Sequence, residues 1–575
     1  MHIDCNPGEY NQFAIDTSLI DGATIELSVR SGDNYLEDEA QTLTDWGDGT
    51  VNNKYTHRYR REGVYHIKTR HVISYSTSKD MVISCLDIDK SMTDLSGFLS
   101  YCHNLKSVNS SIDTSNVTNM YSMFNSCTKL ESIDLSDWDF GNVTNMACMF
   151  SSCSNLVSVD LHNANTGNVI NMGAMFNGCG SLTSIDLSGI NTSNVISMFS
   201  MFSHCGSLRT IDLSSLDTGN VTNMSQMFYE CRRLDSLDLS GFDTNNAINM
   251  SSMFFGCKIL ALLDVSSFNT CNVTDMSSMF SYCERLPLLD ISNFDTSNVT
   301  NMYGMFSGCG NLESLDLSNF NTDNVTNMSH MFGQCMELIS LRVFNFNTSN
   351  VTDIDNMFSG CRKLGSINVS NFDTGKATSM NGMFFDCWAL KSLNLSNFNT
   401  ENVTDMSYMF LSCHSLETLD LSNFDTSKVT AMRDMFSECH SLISLDVSSF
   451  DTSNVMDMSG MFSVCKKLKN ISISNFNTSE VIDMSYMFGS SYALETLDLS
   501  SFDTKKVTNM NSMFSGCYAL ERLDISNFSI RTSRIDTDYL FLSCRVLTED
   551  NIIMTNCNEV TKQIIMIAYK NSDRY

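Results

Sequence analysis

A unit of 26 residues, typified by Leu312 to Glu337 (LESLDLSNFNTDNVTNMSHMFGQCME), governs what this chain can fold into. Its Met-Phe pair recurs in strict phase from Met123-Phe124 through Met149-Phe150, Met227-Phe228, Met331-Phe332 and Met435-Phe436 to Met513-Phe514, sixteen copies without insertion or deletion. A fixed period in this range specifies a solenoid, because so small a coil cannot enclose its own apolar face and must bury it against the next. Leu315 and Leu317 alternate around Asp316 as in a short strand, Leu inward and Asp outward. Phe320 then turns inward. Val325, Met328, Met331, Phe332, Cys335 and Leu338 follow in the rhythm of one or two helical turns with one buried face. Asn-Thr-Asp-Asn before Val325 supplies capping and turn chemistry.

The charge balance narrows the partners. Lys and Arg number 35 against 65 Asp and Glu, a net charge of -30, which opposes binding to a phosphate backbone, so no nucleic-acid partner is expected. No apolar run is long enough to span a bilayer, so no membrane insertion is expected either. The start, MHIDCNPGEYNQF, has neither the basic nor the apolar region of a secretory signal, and the end, YKNSDRY, shows no sorting motif or anchor.

The phrase LDISNFDTSNVT, Leu289 to Thr300, resembles the leucine-rich repeats of BspA-type bacterial surface proteins in their 26-residue form. The resemblance covers roughly residues 91 to 528. It implies a leucine-rich-repeat-like, right-handed, curved solenoid with a parallel sheet along one side and short helical turns on the other. It also implies display at the cell surface or outside the cell, with a protein or glycan of a host or neighbouring cell as partner. Without a visible signal or anchor, export by another route, carriage on a phage particle and retention inside the cell all stay open. Ahead of the coils, Asp45-Trp46-Gly47-Asp48-Gly49-Thr50 and the stretch from His57 to Ile67, HRYRREGVYHI, resemble a PKD-type domain, an immunoglobulin-like module. Strands such as Ile25 to Val29 and Gly63 to Ile67, broken by Gly-Asp-Gly turns, read as a small β-sandwich.

The expected organisation is therefore a sandwich over 1–88, a solenoid over 89–528 with an irregular entry coil at 89–105, and a C-terminal cap over 529–575. In the entry coil Phe98 is in phase with Phe124, and Cys102 comes one residue late. In the cap Tyr539-Leu540 stands where Met-Phe would fall, and 549–570 reads as an amphipathic helix or two that closes the open end of the core.

A search for chemistry finds no column pairing a nucleophile with a base and no phosphate-binding loop, so no enzyme is expected. The cysteine column, Cys127 through Cys465 and again Cys517, reads as buried free thiols, since stacked residues point the same way and suit a disulfide poorly. Ser491, in the same column, fits that reading. His414 and His440 each follow a column cysteine, but an inward Cys and its outward neighbour diverge, so no metal site is expected there. Asp45 and Asp48 either shape a tight turn, the preferred reading, or hold calcium. Eight Asn-Val-Thr triplets match the glycosylation sequon and read instead as ladders of turn hydrogen bonds.

The outward acid is more telling. The position of Asp316 is Asp in twelve of sixteen coils, Asp290 among them, with Ser314 and Ser318 on the same side. Like charges at ladder spacing persist only if solvated or neutralised by cations. A solubilising face and a calcium or ligand stripe both remain open. Arg342, Asn368 and Asn394 replace Asp in three consecutive coils, and Phe344 replaces the outward Ser beside Arg342. An exposed aromatic next to Arg is the composition of a binding hot spot. Arg342, Phe344, Asn368 and Asn394, flanked by Asp290 and Asp316, are the candidate ligand-binding residues. The expected function is non-enzymatic surface adhesion or recognition; the alternative is a structural spacer or phage tail-fibre component.

Overall fold

Leucines two residues apart, separated by a polar residue, set the first side of every coil. In a computed structural model describing residues 11–20, 24–28, 43–69, 72–73, 77–161, 164–530 and 535–572, Ser314–Asp316 pairs in parallel with Ser340–Arg342, Leu315 opposite Leu341 and Asp316 opposite Arg342. The Leu points into the core and its neighbours point out. Val29, residues 1–10 and residues 573–575, all used in the reading above, lie outside the described residues. The chain forms two compact units, Met1–Val273 with Tyr282–Leu286, and Thr274–Ser281 with Pro287–Tyr575. The first repeats the parallel pairing at Ser132–Asp134 with Ser158–Asp160 and at Ser236–Leu237 with Leu262–Leu263. The second repeats it at Ser444–Asp446 with Asn470–Ser472 and at Thr496–Asp498 with Arg522–Asp524. The 26-residue coils of each unit form a leucine-rich-repeat solenoid.

The Met-x-x-Met-Phe side is built from turns, not from the helical turns its spacing suggests. Met331 N donates to Met328 O, Gly333 N to His330 O and Cys335 N to Phe332 O, closing separate reverse turns. Between them, the amides of Met328, His330, Phe332 and Gln334 donate to Asp353, Asp355, Met357 and Ser359 of the next coil. An α-helix would need those amides for itself. His330 and Gln334 sit at φ of 57° and 61°, the left-handed region that interrupts a helix. Turns that recur every two residues with apolar corners mimic helical spacing in sequence.

Inside, the columns stack. Phe332 lies between Phe306 and Phe358, with centroids 5.8 and 5.6 Å apart and planes within 7° and 5°. Thr322 Oγ1 donates to Asn347 O (2.9 Å) and accepts from Asn347 N (2.8 Å), so a buried hydroxyl ties its coil to the next as both donor and acceptor. Residues of the sequon are spent similarly: Asn324 Nδ2 donates to Ser297 O (2.7 Å) and Thr326 Oγ1 to Thr300 O (3.2 Å). The column thiol is a donor too. Cys335 Sγ reaches Phe306 O at 3.1 Å, and Ser491 Oγ makes the same bond to Phe462 O at 2.7 Å. Burial pushes the Cys335 thiol up to about 12, so it stays protonated and able to donate. Cys335→Val is expected to cost about 1 kcal/mol through the lost bond, whereas Cys335→Ser retains the bond and stays closer to wild type; denaturant midpoints of the two variants provide the check.

Ahead of the coils, β1 (Asn11–Asp16), β2 (Thr24–Ser28), β3 (Thr44–Asp45), β4 (Val51–Asn52), β5 (Thr56–Arg58), β6 (Val64–Thr69), β7 (Val72–Ile73) and β8 (Val82–Asp87) pair antiparallel in two sheets. β1 is flanked by β6 and β8, and β3 joins β6 to β4. β2 lies between β5 and β7. Trp46 is fully buried, and Tyr59 Oη donates to its carbonyl at 2.8 Å. Asp45 and Asp48 accept the amides of Gly47 (3.0 Å) and Thr50 (2.9 Å), and Asp48 also meets His57 Nε2 at 2.8 Å. These carboxylates shape the turn. Gly47 has φ 76°, and a Cβ there would stand 2.5 Å from His66 O, so only glycine fits.

The sheet does not end at β8. β8 pairs in parallel with β9 (Ser107–Val108), the strand that follows the entry coil, so what would be a bare edge is covered. In that coil Leu99, not Phe98, takes the place of Phe124: Leu99 N donates to Met123 O as Phe124 N does to Met149 O, and Leu99 O receives Cys127 Sγ at 3.2 Å. The coil is one residue short, which also explains the displaced Cys102. Its outward carbonyls have no preceding coil. Lys79, in the turn Thr77–Met81 and only 3% exposed, supplies the missing donors: Nζ reaches Gly97 O at 3.0 Å, Phe98 O at 3.3 Å and Ser100 O at 2.8 Å.

At the other end the phase slips by one residue. Leu540 and Phe541 take the Met-Phe places rather than Tyr539-Leu540: Phe514 N donates to Leu540 O, and Phe541 stacks on Phe514 at 5.6 Å. The tail is not helical throughout. Ile552–Ile553 adds a strand parallel to Arg522–Asp524, because two β-branched residues suit the last ladder better than a helix. Only Glu559–Ser572, α1, is an α-helix. Asn558 Oδ1 accepts Thr561 N at 2.8 Å as its cap, and its buried face carries Thr561, Ile565 and Ala568.

Candidate functional site

On the outward strand face each acid has a local task. Asp316 Oδ1 accepts Ser318 N at 3.0 Å, and Asp290, Asp420 and Asp446 accept Ser292, Ser422 and Ser448 in the same way. The Ser318 hydroxyl and amide hold the Asp316 carboxyl below the usual carboxylate range, with Arg342 adding to the effect. The column is thus a set of Asx turns that end the strands, a role that neither a solubilising face nor a cation stripe anticipates.

Departures from Asp sort by whether they keep that turn. Asn368 and Asn394 keep it, accepting Ser370 N and Ser396 N at 3.1 Å, while dropping the charge. Arg342 cannot accept. Its Nη1 instead donates to Asp316 Oδ2 at 2.9 Å, with the two side chains 64% and 51% exposed. So exposed a pair adds little stability, but it points the guanidinium along the face, and the cation neutralising Asp316 there is the guanidinium itself. Phe344 is 55% exposed and Ile339, on the same coil, 59%. That coil also holds a buried acceptor without a hydrogen-bond partner, Asn345 Oδ1, the one such side-chain atom among the described residues. Asp316 and Arg342 are therefore gathered on two paired strands, with Phe344 in the turn just after the second; Asp290 lies one coil before, and Asn368 and Asn394 continue the column, each closing its own turn. In the first unit a groove lined by Ser184, Thr210, Asp212, Asp238, Ser240 and Phe242 opens on the strand side.

A second column, of which the sequence reading took up only His414 and His440, lies on the flank. In four consecutive coils the residue after the column cysteine joins a stack along the flank: Arg362 lies 4.3 Å over the Trp388 ring, Trp388 stacks on His414 at 5.4 Å, and His414 on His440 at 4.4 Å. Trp388 is 41% exposed. Arg, Trp, His and His at one phase in consecutive coils was the signal available in the sequence.

A family model described as "Mycoplasma protein of unknown function, DUF285" matches residues 75–184, 155–262, 249–366, 334–444 and 432–554. The chain belongs to the DUF285 family. The DUF285 matches take in every 26-residue coil and begin after β7. Among solved structures, a leucine-rich repeat protein from Bacteroides ovatus is similar to this DUF285 protein at 17% identity over 81% of this chain and 94% of that one, with a TM-score of 0.30. A leucine rich cell surface protein from Faecalibacterium prausnitzii is similar at 16% identity over 62% and 81%, TM-score 0.29. An internalin from Listeria monocytogenes is similar at 12% identity over 70% and 90%, TM-score 0.15. No curated protein matches. Among the described residues of the DUF285 chain no helix is long and apolar enough to cross a membrane.

Proposed function

We propose that this DUF285 protein is a non-enzymatic recognition scaffold at the cell surface or outside the cell. It holds a protein or glycan of a host or neighbouring cell on its outward strand face, centred on Arg342 and Phe344. What carries the reading is the coil of Arg342: a large aromatic more than half exposed beside a guanidinium held by Asp316, on a face made mainly of Asp, Ser and Thr, with Leu262 and Leu288 as exposed exceptions. Aromatic and Arg side chains dominate binding energy where a partner can desolvate them. Asn368 and Asn394 extend an uncharged strip, and Asp290 forms part of an acidic rim. Residues 1–88 act as a PKD-like sandwich that positions the solenoid of 89–528, and 529–575 close its far end. The acid column, mostly uniform elsewhere with Ser472 the other break, favours a second reading, a structural spacer or phage-fibre component whose face holds no ligand.

The test is binding of the full-length protein to arrays of host glycans and extracellular-matrix proteins, with and without calcium. A saturable hit weakened about thirtyfold or more by Arg342→Ala with Phe344→Ser is expected, the effect of losing a hot spot. Silence on every array, or a hit indifferent to both changes, moves the weight to the spacer.

A further inference from the structure

We propose that His414, Glu438 and His440 form a binding site for one divalent transition-metal ion of the zinc class. One ligand atom from each of the three lies within 4.8 Å of the others, and His414 Nε2 stands 3.3 Å from Glu438 Oε2. Two ligands about 2.1 Å from a tetrahedral zinc ion are about 3.4 Å apart. That edge of the site is already at its working length, and His440 needs only a side-chain adjustment. The imidazoles, from adjacent coils, are stacked within 9° of parallel with centroids 4.4 Å apart; a ring nitrogen binds an ion in its own ring plane, so the His440 ring must turn about its side-chain bonds for both to face one ion.

The site is held from behind. His414 N donates to Ser412 O (2.9 Å), His440 N to Glu438 O (2.8 Å) and Glu438 N to Ser463 O (2.8 Å), which fixes the backbone of all three ligands. Ser412 Oγ donates to Glu438 Oε2 at 3.3 Å, and Trp388 covers the face of His414 away from His440. Such supporting contacts orient ligands before the ion arrives.

The column cysteines take no part. Cys413 Sγ and Cys439 Sγ point inward and donate to Phe384 O (3.2 Å) and Phe410 O (3.3 Å). The divergence of Cys and His read from the sequence therefore holds. The missing ligand was Glu438, which precedes Cys439 and reaches His414 from the next coil. Two imidazoles with one carboxylate select zinc, copper or nickel over calcium and magnesium, which want oxygen alone. Three protein donors leave a position for water or for a side chain brought by another molecule. The flank stack is separate from the strand face, so the site stands whether or not that face binds a partner.

The experiment is calorimetric titration of the chelator-treated full-length protein with zinc chloride, with cobalt chloride as a spectroscopic probe. Wild type is expected to take up one zinc that Cys413→Ser with Cys439→Ser retains. Glu438→Gln weakens it at least tenfold, and His414→Ala with His440→Ala abolishes it together with the visible cobalt bands. All three ligands are partly exposed, so these variants should fold; should the double variant fail to, Glu438→Gln and His440→Gln decide alone. No zinc uptake by wild type, or equal uptake by wild type and the ligand variants, overturns the proposal.

Discussion

Phe332→Ala is expected to cost about 3–5 kcal/mol and to open only the coils around it. The ring is fully buried and stacks on Phe306 and Phe358, so truncation removes two aromatic contacts and leaves a cavity walled by columns that cannot collapse independently. Each coil meets only its neighbours, so the loss stays near its origin. Hydrogen exchange provides the measurement: the amides of Phe306 and Phe332, which donate to the carbonyls of Met331 and Met357, should lose protection, while strand amides at Ser444–Asp446 and Ser132–Asp134 keep theirs. Uniform loss along the chain would mean that the array unfolds as one cooperative body.

Lys79→Met carries the second large effect, about 3–5 kcal/mol confined to the entry coil. In an interior coil the carbonyls of Met123 and Asn125 accept the amides of Leu99 and Tyr101 from the coil before. Phe98 and Ser100 occupy those places in the entry coil, and there the ammonium of Lys79 is the donor. Methionine fills the volume and donates nothing, leaving buried acceptors unpaired, each worth about 1–3 kcal/mol. Faster exchange at Leu99 and Tyr101 with unchanged protection beyond the next few coils is the expected pattern. A stability equal to wild type would show that water replaces the ammonium.

Most of the coil was legible because burial here is periodic. Leu315, Leu317, Phe320, Val325, Met328, Met331, Phe332, Cys335 and Leu338 were read as inward, and all are buried. Ser491 pointed to a small buried side chain rather than a bridge, and it is fully buried; the bond it and the thiols donate across coils was not read. Legibility failed where two structures share a spacing. Reverse turns alternating with ladder bonds place apolar residues at the same intervals as a helix, and only the left-handed residues His330 and Gln334, ordinary in type, tell them apart. It failed again at the ends, where a shift of one residue moves Leu99 and Phe541 into places that counting assigns to others. The candidate site splits in the same way. Arg342 and Phe344 stand out because they break a column, and Asp316 follows as the partner one coil earlier. Glu438 lies in a different column from His414, 24 residues on, and no single column displays the pair.

The hydrogen-bonded sulfurs also make the chain a gauge of its own breathing. A thiol held at about 12 and shut from solvent, as at Cys335 and Cys465, reacts with an alkylating reagent only after its coil has opened. Because one such thiol marks nearly every coil, the alkylation rate of each, read by mass spectrometry, is a local opening constant in sequence order. The lifetime of every segment of the array is then measurable in the unmodified protein, without adding a single probe.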